Sequence, residues 1–284
     1  MSSSQYITSE LRQWIVAQAA AGKSPDAVLN AMCRSGWTET VAMAALEDTL
    51  HGHLVEDARA RSLPLSVVVP EPMVCGDEPV LHAGDREVQV LAALRNPRIV
   101  VLGGLLAREE CEALMTLAAA RLARSETVQL DTGASEVNAA RTSEGMFFGR
   151  GEHEVCARIE ARIAALLHWP LENGEGLQIL RYKPGAEYKP HYDYFDPDQP
   201  GTPAILRRGG QRVATVVMYL NTPERGGATV FPEVNLEVAP IQGNAVFFSY
   251  DRPHPMTRSL HGGTSVVAGE KWVATKWLRE GRFD

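Results

Sequence analysis

The chain has 284 residues, a formal net charge of −7 and 45% hydrophobic residues. This length predicts one sizeable domain and a smaller one, with an ample apolar core. The negative charge argues against nucleic acid as the main partner, because phosphate binding relies on an excess of Lys and Arg. A polar start and the lack of a long apolar run predict a cytoplasmic protein with no membrane partner.

Residues 1–62 are predicted to form a small helical bundle, because apolar residues recur at spacings of three and four between Ile7 and Leu54. Ser24 followed by Pro25 is typical of a helix N-cap and first turn. Through its Gly36-Trp37 turn the segment is weakly similar to a ubiquitin-associated-type bundle, with a structural cap as the alternative. We expect homodimer formation or recruitment of a partner through these helices.

Residues 63–80 contain four prolines and little helical periodicity, so they are predicted to form a linker. In the remaining residues, 81–284, helices are predicted first and strands later. The predicted helices cover 107–122 and 154–167, and the predicted strands cover 98–102, 177–182, 212–220, 229–231, 236–240, 245–249 and 271–278. This order of elements indicates an α+β domain built around a β-sandwich or barrel.

His191 and Asp193 are separated by one residue, which places them on the same face of a strand, and His261 follows much later. A bare His-x-Asp pair is common on surface strands. Two imidazoles and one carboxylate on one face of an octahedral metal, however, leave three adjacent positions open, as in non-haem Fe(II) oxygenases. A bidentate 2-oxo acid would fill two of these positions and dioxygen the third. The three residues therefore predict an iron site.

The strand-rich half contains the stretches QILRYKPGAEYKPHYDYF, GGQRVATVVMYLN, GGATVFPE and SLHGG followed by GEKWVATKWL. These stretches resemble the prolyl 4-hydroxylases, a family of Fe(II)- and 2-oxoglutarate-dependent oxygenases. An upstream stretch, NPRIVVLGGLLAREECEAL, is similar to the segment that opens the family's catalytic domain. The resemblance implies a double-stranded β-helix, or jelly-roll, catalytic domain with supporting helices over residues 81–284, preceded by the small helical domain.

The resemblance assigns His191, Asp193 and His261 as the iron ligands, and we expect His261 to approach from a strand across the jelly roll. Lys271, ten residues beyond His261, matches the family residue that binds the distal carboxylate of 2-oxoglutarate. A lysine inside an apolar strand is costly unless it meets an anion. A surface lysine whose amine reaches solvent is the alternative.

Three further residues match positions around the co-substrate. Tyr182 and Thr229 match residues whose hydroxyl groups donate hydrogen bonds to the 2-oxoglutarate carboxylate, which suits a phenol and an alcohol. Trp277 matches an aromatic residue near the metal and the edge of the substrate. Ordinary packing within a strand is the alternative for each of the three.

The peptide substrate is expected to contact a second set of residues. Tyr188 and Arg212 resemble family residues around the target proline, and Arg141, in RTSEGMFF, belongs to a motif that lines the same groove or forms a surface ion pair. Two positions depart from the family, since Ser265 replaces a common Pro and Arg279 a common His. We predict that Arg279 lies at the groove, where its permanent charge favours a different or an acidic flanking sequence.

The resemblance implies hydroxylation of a peptidyl proline at C4, with release of succinate and carbon dioxide. Fe(II), 2-oxoglutarate and ascorbate are the implied cofactors, and dioxygen and a proline-containing peptide or protein are the implied partners. The alternatives are the same chemistry on another protein residue or a free amino acid, and a non-catalytic metal-binding sensor. The segment 196–210, rich in Pro, Gly and Asp, is predicted to order over the peptide.

Overall fold

The structure is a computed structural model that describes residues 6–72, 79–124 and 142–284, together with the backbone of 127–128 and 135–136. It divides into two compact units, Met1–Ser66 and Val67–Asp284. The division falls inside the predicted linker, and the larger unit already begins at Val67, whose amide donates a hydrogen bond to the Asp251 carbonyl. Within the described ranges, every helix is too short or too polar to cross a membrane.

The smaller unit consists of three helices, as the periodicity predicts. They are α1 (Ser9–Ala20), α2 (Pro25–Arg34) and α3 (Glu39–Ala60). Ser24 caps α2 as predicted, because its side chain accepts a hydrogen bond from the Ala27 amide while Pro25 occupies the first turn. The three helices share a small apolar core made of Ile15, Val28, Met32, Ala42, Ala45 and Leu46.

The larger unit is built on a nine-stranded antiparallel sheet. Its strands are β1 (Val80–His82), β2 (Glu87–Leu94), β3 (Arg98–Gly103), β4 (Ala123–Arg124), β7 (Glu144–Phe147), β8 (Gln178–Tyr182), β10 (Arg212–Tyr219), β14 (Ala245–Ser249) and β17 (Lys271–Arg279). They lie in the order β1-β2-β3-β14-β10-β17-β8-β7-β4. The sheet contains five of the predicted strands, which are β3, β8, β10, β14 and β17.

A smaller sheet faces the large one. Its strands are β9 (Tyr188–His191), β12 (Thr229–Phe231), β13 (Leu236–Val238) and β15 (His261–Gly263), in the order β13-β12-β15-β9. Two strand pairs complete the set, β5 (Thr127–Val128) with β6 (Ser135–Glu136) and β11 (Arg225–Gly226) with β16 (Val266–Ala268). The helices of this unit are α4 (Arg108–Ala119), α5 (Glu154–Leu167) and α6 (Thr202–Leu206). The predicted α+β class is confirmed.

Two apolar cores lie on the two faces of the large sheet. One core joins the sheet to α4 and α5, and the other joins it to the smaller sheet. Along β14, Phe247 belongs to the first core and Phe248 to the second, because successive side chains of a strand point to opposite faces. The second core closes one side of the cleft in which the candidate site lies.

The strand β17 carries two buried lysines on its opposite faces, Lys271 and Lys276. Lys276 faces the helices, where its Nζ lies 2.5 Å from Oε1 of Glu160 in α5. The other Glu160 oxygen accepts a hydrogen bond of 2.7 Å from the Gly151 amide. Both members of the pair are almost fully excluded from water. Each charge therefore depends on the other for compensation.

We expect Lys276→Met to lower the free energy of unfolding by about 3 to 5 kcal/mol, because it leaves the Glu160 carboxylate buried without a cation. Urea unfolding of the purified protein measures this loss. The double variant, Lys276→Met with Glu160→Met, removes both charges and is expected to regain most of the stability. A double variant as unstable as the single one would assign the loss to packing.

Candidate functional site

Two histidines meet because β9 and β15 are neighbouring strands. His191 ends β9, His261 begins β15, and the two are direct partners in the antiparallel register. Their ring centroids lie 4.4 Å apart, as expected for side chains facing each other across a strand pair. The expectation that His261 approaches from across the jelly roll is wrong, since both strands belong to the smaller sheet.

Asp193 follows β9 and completes the cluster. Its Oδ1 lies 3.6 Å from His191 Nε2, and its Oδ2 lies 3.5 Å from His261 Nε2. Potential ligand atoms of the three residues all lie within 4.8 Å of one another, the one such group of His, Cys, Asp or Glu side chains found in the described part of the chain. The predicted ligand residues are therefore assembled on one side of a cleft.

Backbone carbonyls fix which nitrogen of each histidine is available. His191 Nδ1 lies 2.8 Å from the Lys189 carbonyl oxygen, and His261 Nδ1 lies 3.0 Å from the Ser259 carbonyl oxygen. A carbonyl oxygen only accepts hydrogen bonds, so each Nδ1 is the donor and carries the proton. Both Nε2 lone pairs are then left to face Asp193, as metal coordination requires.

Burial and charge also set the protonation states. Burial lowers the pKa of the His261 imidazole to about 4, so the ring is neutral at neutral pH. Burial alone would raise the pKa of Asp193, but the positive charges that His261 and His191 carry when protonated outweigh it and hold that pKa well below its ordinary value of 3.8. One carboxylate and a neutral imidazole are forms that bind a divalent metal.

Lys271 lies in the same cleft as the three residues. It pairs in register with Tyr182 on β8, and its Nζ lies 5.6 Å from the Tyr182 ring centroid and 5.7 Å from that of Tyr219. Only 4% of the residue is exposed. Desolvation lowers its pKa to about 8, and no carboxylate of the described residues compensates the charge. A buried ammonium of this kind is prepared for an anion that comes from outside the chain.

Thr229 and Tyr182 line the cleft beside this lysine. The Tyr219 hydroxyl donates a hydrogen bond of 2.8 Å to Thr229 Oγ1. Because Thr229 accepts this bond, its own proton remains available for another acceptor. The structure thus brings together the three residues predicted for the co-substrate carboxylate, and it adds Tyr219, which the sequence analysis did not select.

Comparisons with known proteins agree with this geometry. Residues 177–279 match the family model described as 2OG-Fe(II) oxygenase superfamily. The chain is 40% identical over 221 residues to probable prolyl 4-hydroxylase 3 of Arabidopsis thaliana, covering 70% of this chain and 75% of that protein. It is 41% identical over 221 residues to prolyl 4-hydroxylase 5 of the same plant, covering 70% and 74%. The chain belongs to the prolyl 4-hydroxylase family.

The fold of this prolyl 4-hydroxylase is also similar to that of a solved structure. It is the viral collagen prolyl hydroxylase from Paramecium bursaria Chlorella virus-1, crystallised as a complex with 2-oxoglutarate. The TM-score is 0.50 at 31% sequence identity, and the match covers 64% of this chain and 95% of the viral chain. The fold of the larger unit is therefore that of a 2-oxoglutarate oxygenase.

Two aromatic residues flank the cluster in this family member. The Tyr188 ring stacks on the His191 ring, with centroids 3.7 Å apart. Trp277 lines the cleft, and its indole Nε1 is buried without a hydrogen-bond partner among the described residues. An unpaired buried N–H costs stability, so a bound molecule that supplies an acceptor is expected beside Trp277.

Arg212 and Arg279 meet on one carboxylate, that of Glu175. Arg212 donates through Nε and Nη2 to the two Glu175 oxygens at 2.6 and 3.0 Å, and Arg279 Nε lies 2.7 Å from Oε1. The Arg212 guanidinium also lies 3.8 Å from the Trp277 ring centroid. Arg212 is therefore held in a fixed orientation against Trp277, a residue that lines the cleft.

The structure corrects the expectation that Arg279 lines the peptide groove. Its side chain is 4% exposed, and its Nη1 donates a hydrogen bond of 2.7 Å to the Gly210 carbonyl. The charge is used inside the protein, because a buried guanidinium requires a carboxylate such as Glu175. It is not presented to an acidic flanking residue. Arg141, the other predicted groove residue, lies outside the described residues.

Sequence reasoning also missed residues behind the metal cluster. Thr215 Oγ1 lies 2.7 Å from Asp193 Oδ2 and 2.9 Å from the Tyr250 hydroxyl. A signal was present, since Thr215 is a hydroxyl residue inside the apolar stretch of β10. That signal identifies a buried polar group without naming its partner.

We expect Lys271→Met to stabilise the protein in the absence of ligands. Lowering the lysine pKa from its ordinary value of 10.5 to about 8 corresponds to a penalty of about 3 kcal/mol at neutral pH. Below pH 8 the penalty is present in full, and it fades between about pH 8 and 10.5, where the unfolded chain binds more protons.

Urea unfolding of Lys271→Met and wild type at pH 7 and pH 10 measures this effect, with a larger gain expected at pH 7. Lys276→Met is the matched control, because the same substitution on the same strand breaks an ion pair and destabilises. A Lys271→Met protein no more stable than wild type at pH 7 would contradict the assignment of an uncompensated charge.

Proposed function

We propose that this protein is an Fe(II)- and 2-oxoglutarate-dependent dioxygenase that hydroxylates a peptidyl proline at C4. The observation that carries the proposal is the juxtaposition of the His191, Asp193 and His261 cluster with Lys271 in one cleft. A metal site by itself has no need of a buried, unpaired lysine nearby. A dicarboxylate co-substrate that binds the metal at one end requires a cation for the other end.

The residues present fit Fe(II). The two Nε2 lone pairs of the histidines and the ionised Asp193 carboxylate would hold the metal, and three protein ligands would leave coordination positions for other molecules. Fe(II), when bound, supplies the activation of dioxygen on which hydroxylation depends. The chain itself keeps His261 neutral and Asp193 ionised, and it buries both side chains.

The co-substrate would be held at the far end of the cleft. Lys271 is proposed to pair with the distal carboxylate of 2-oxoglutarate, and Tyr182 and Thr229 to donate hydroxyl hydrogen bonds to it. Tyr219 supports this arrangement, since its bond to Thr229 Oγ1 leaves the threonine proton for the carboxylate. The overall reaction places one dioxygen oxygen atom on the proline C4 and the other in succinate, with release of carbon dioxide.

The substrate is proposed to bind beside Tyr188, Trp277 and Arg212. A polyproline-like peptide presents flat rings and unpaired carbonyl oxygens, which suit an aromatic face and a guanidinium. Glu175 orients Arg212 through two hydrogen bonds, so the guanidinium does not have to be ordered when the peptide arrives.

Segment 196–210 is proposed as the lid over this groove. The Gln211 side chain joins both ends of the segment, because its Oε1 accepts from the Phe195 amide at 2.8 Å and its Nε2 donates to the Phe195 carbonyl at 2.7 Å. Motion of the segment would therefore be confined to the residues between these two points. We also infer that the two facing sheets form the predicted double-stranded β-helix, because they share one apolar core.

Four further expectations remain predictions: use of ascorbate, a cytoplasmic location, the division into domains at 1–62, 63–80 and 81–284, and dimerisation or partner recruitment by the N-terminal helices. The helical unit has its own core, which suits a separate role.

Mass spectrometry of proline-containing peptides tests the proposed function. After incubation with Fe(II), 2-oxoglutarate, ascorbate and air, we expect a gain of one oxygen atom on proline, with 4-hydroxyproline found on hydrolysis. His191→Ala is the control and is expected to give no product. Stoichiometric succinate without any modified proline in a broad peptide set would contradict proline as the substrate.

Lys271→Ala tests the co-substrate site separately. Loss of one partner of a buried charge pair costs roughly 2 to 5 kcal/mol, so 2-oxoglutarate is expected to bind at least about 30-fold more weakly. Calorimetric titration of the Mn(II)-loaded protein with 2-oxoglutarate measures the affinity, and Lys183→Ala, at an exposed lysine, is the control. An affinity within about twofold of wild type would remove Lys271 from this role.

A further inference from the structure

The Asp193 carboxylate is reached from behind by a chain of two hydroxyl groups. Thr215, in the middle of β10, donates from Oγ1 to Asp193 Oδ2 at 2.7 Å. The same Oγ1 lies 2.9 Å from the hydroxyl of Tyr250, which follows β14. Thr215 is fully buried, and 2% of Tyr250 is exposed. Neither hydroxyl therefore has bulk water as an alternative partner.

The direction of this chain follows from counting protons. An ionised carboxylate only accepts hydrogen bonds, so the single Thr215 proton points to Asp193. The contact between Thr215 and Tyr250 must then use the phenol proton, with the tyrosine as donor. The chain runs from Tyr250 to Thr215 to Asp193, and the first bond polarises the second.

The strand register holds the chain in place. Thr215 pairs with Phe248 on β14 and with Trp277 on β17, so its position is fixed by both neighbouring strands of the large sheet. The Tyr250 amide donates to the Val213 carbonyl at 2.9 Å, which fixes the start of the chain against the same strand. Asp193, in contrast, lies beyond the end of β9 in the smaller sheet. The hydroxyl chain thus ties an aspartate outside any strand to the rigid sheet.

We infer that Thr215 and Tyr250 are positioning residues for Asp193, which hold one carboxylate oxygen so that the other is presented to the metal. The inference rests on the proposed metal centre and deepens it. Thr215 donates a hydrogen bond to Oδ2 of Asp193, and Oδ1 lies 3.6 Å from His191 Nε2. Because Asp193 is already held in one orientation, it loses less conformational freedom when the ion binds. The two hydroxyl groups therefore raise the affinity for the metal.

Thr215→Val tests the inference, because valine keeps the shape of threonine and removes the hydroxyl. Anaerobic calorimetric titration of the metal-free protein with Fe(II) is expected to show affinity about 10 to 100-fold weaker than wild type. Tyr250→Phe is expected to lose less, since Thr215 can still donate to Asp193. Thr215→Ser keeps the hydroxyl and is expected to bind Fe(II) nearly as tightly as wild type.

The double variant, Thr215→Val with Tyr250→Phe, gives the sharpest distinction. Since Tyr250 acts on Asp193 only through Thr215, the double variant is expected to bind Fe(II) as weakly as Thr215→Val alone. If the losses of Fe(II) affinity in the two single variants added up in the double variant, the inference would be overturned. A Thr215→Val affinity for Fe(II) within twofold of wild type would overturn it as well. If Thr215→Val does not fold, the comparison of Tyr250→Phe with wild type still decides the question. An unchanged Fe(II) affinity in Tyr250→Phe would overturn the inference.

Two controls separate this inference from simpler explanations. Thr49→Val removes a buried hydroxyl of the helical unit that accepts a hydrogen bond from Arg12, so it is expected to lower stability to urea and leave Fe(II) affinity unchanged. His191→Ala tests the metal centre itself. Unchanged Fe(II) binding in His191→Ala would contradict the proposed function together with the inference, whereas binding lost there and retained in Thr215→Val would overturn the inference alone.

Discussion

The antiparallel register of β9 and β15 is the constraint on which the site depends. It places His191 opposite His261, and a slip of one residue would turn one histidine to the other face of the sheet. Gly262 permits the close approach of the two strands, because a Cβ at that position would lie 2.9 Å from the Tyr188 carbonyl oxygen. The pairing of the two histidines therefore depends on both the strand register and Gly262.

The buried cations of the larger unit differ in whether a carboxylate of the protein compensates their charge. Lys276 is compensated by Glu160, and Arg212 and Arg279 share Glu175. Lys271 differs from them, since none of the described carboxylates offsets its charge and burial is the one cause that lowers its pKa. Such a group reduces the stability of the ligand-free protein, and this cost is characteristic of binding sites. The buried lysine without a carboxylate partner therefore indicates where an anion from outside the chain would bind.

How far the sequence predicts this structure depends on the element. The amphipathic helices α4 and α5 and the apolar strands β10 and β17 follow from periodicity, because each buries one or two faces against a core. The strand β9 does not alternate apolar and polar residues, so its partner β15 could not be inferred from pattern. His261 was therefore expected on a strand across the jelly roll and not beside β9, although it was correctly grouped with His191 and Asp193.

Charged residues were predicted less well, for a physical reason. Arg279 was expected at the groove because it replaces a common His of the family, but its partner Glu175 lies 104 positions away in sequence. Thr215 was not selected, since a hydroxyl in a strand does not reveal what it faces. Long-range pairing of buried polar groups is decided by the packing of sheets, and local spacing carries no information about it.

We propose that this register creates a single iron site with an anion position at Lys271. Crystals grown without oxygen from protein, Fe(II) and 2-oxoglutarate, with diffraction recorded across the iron absorption edge, test it most directly. We expect one anomalous peak per chain, among His191, Asp193 and His261, with a co-substrate carboxylate at Lys271 Nζ. A peak at other residues, or 2-oxoglutarate bound away from Lys271, would contradict it.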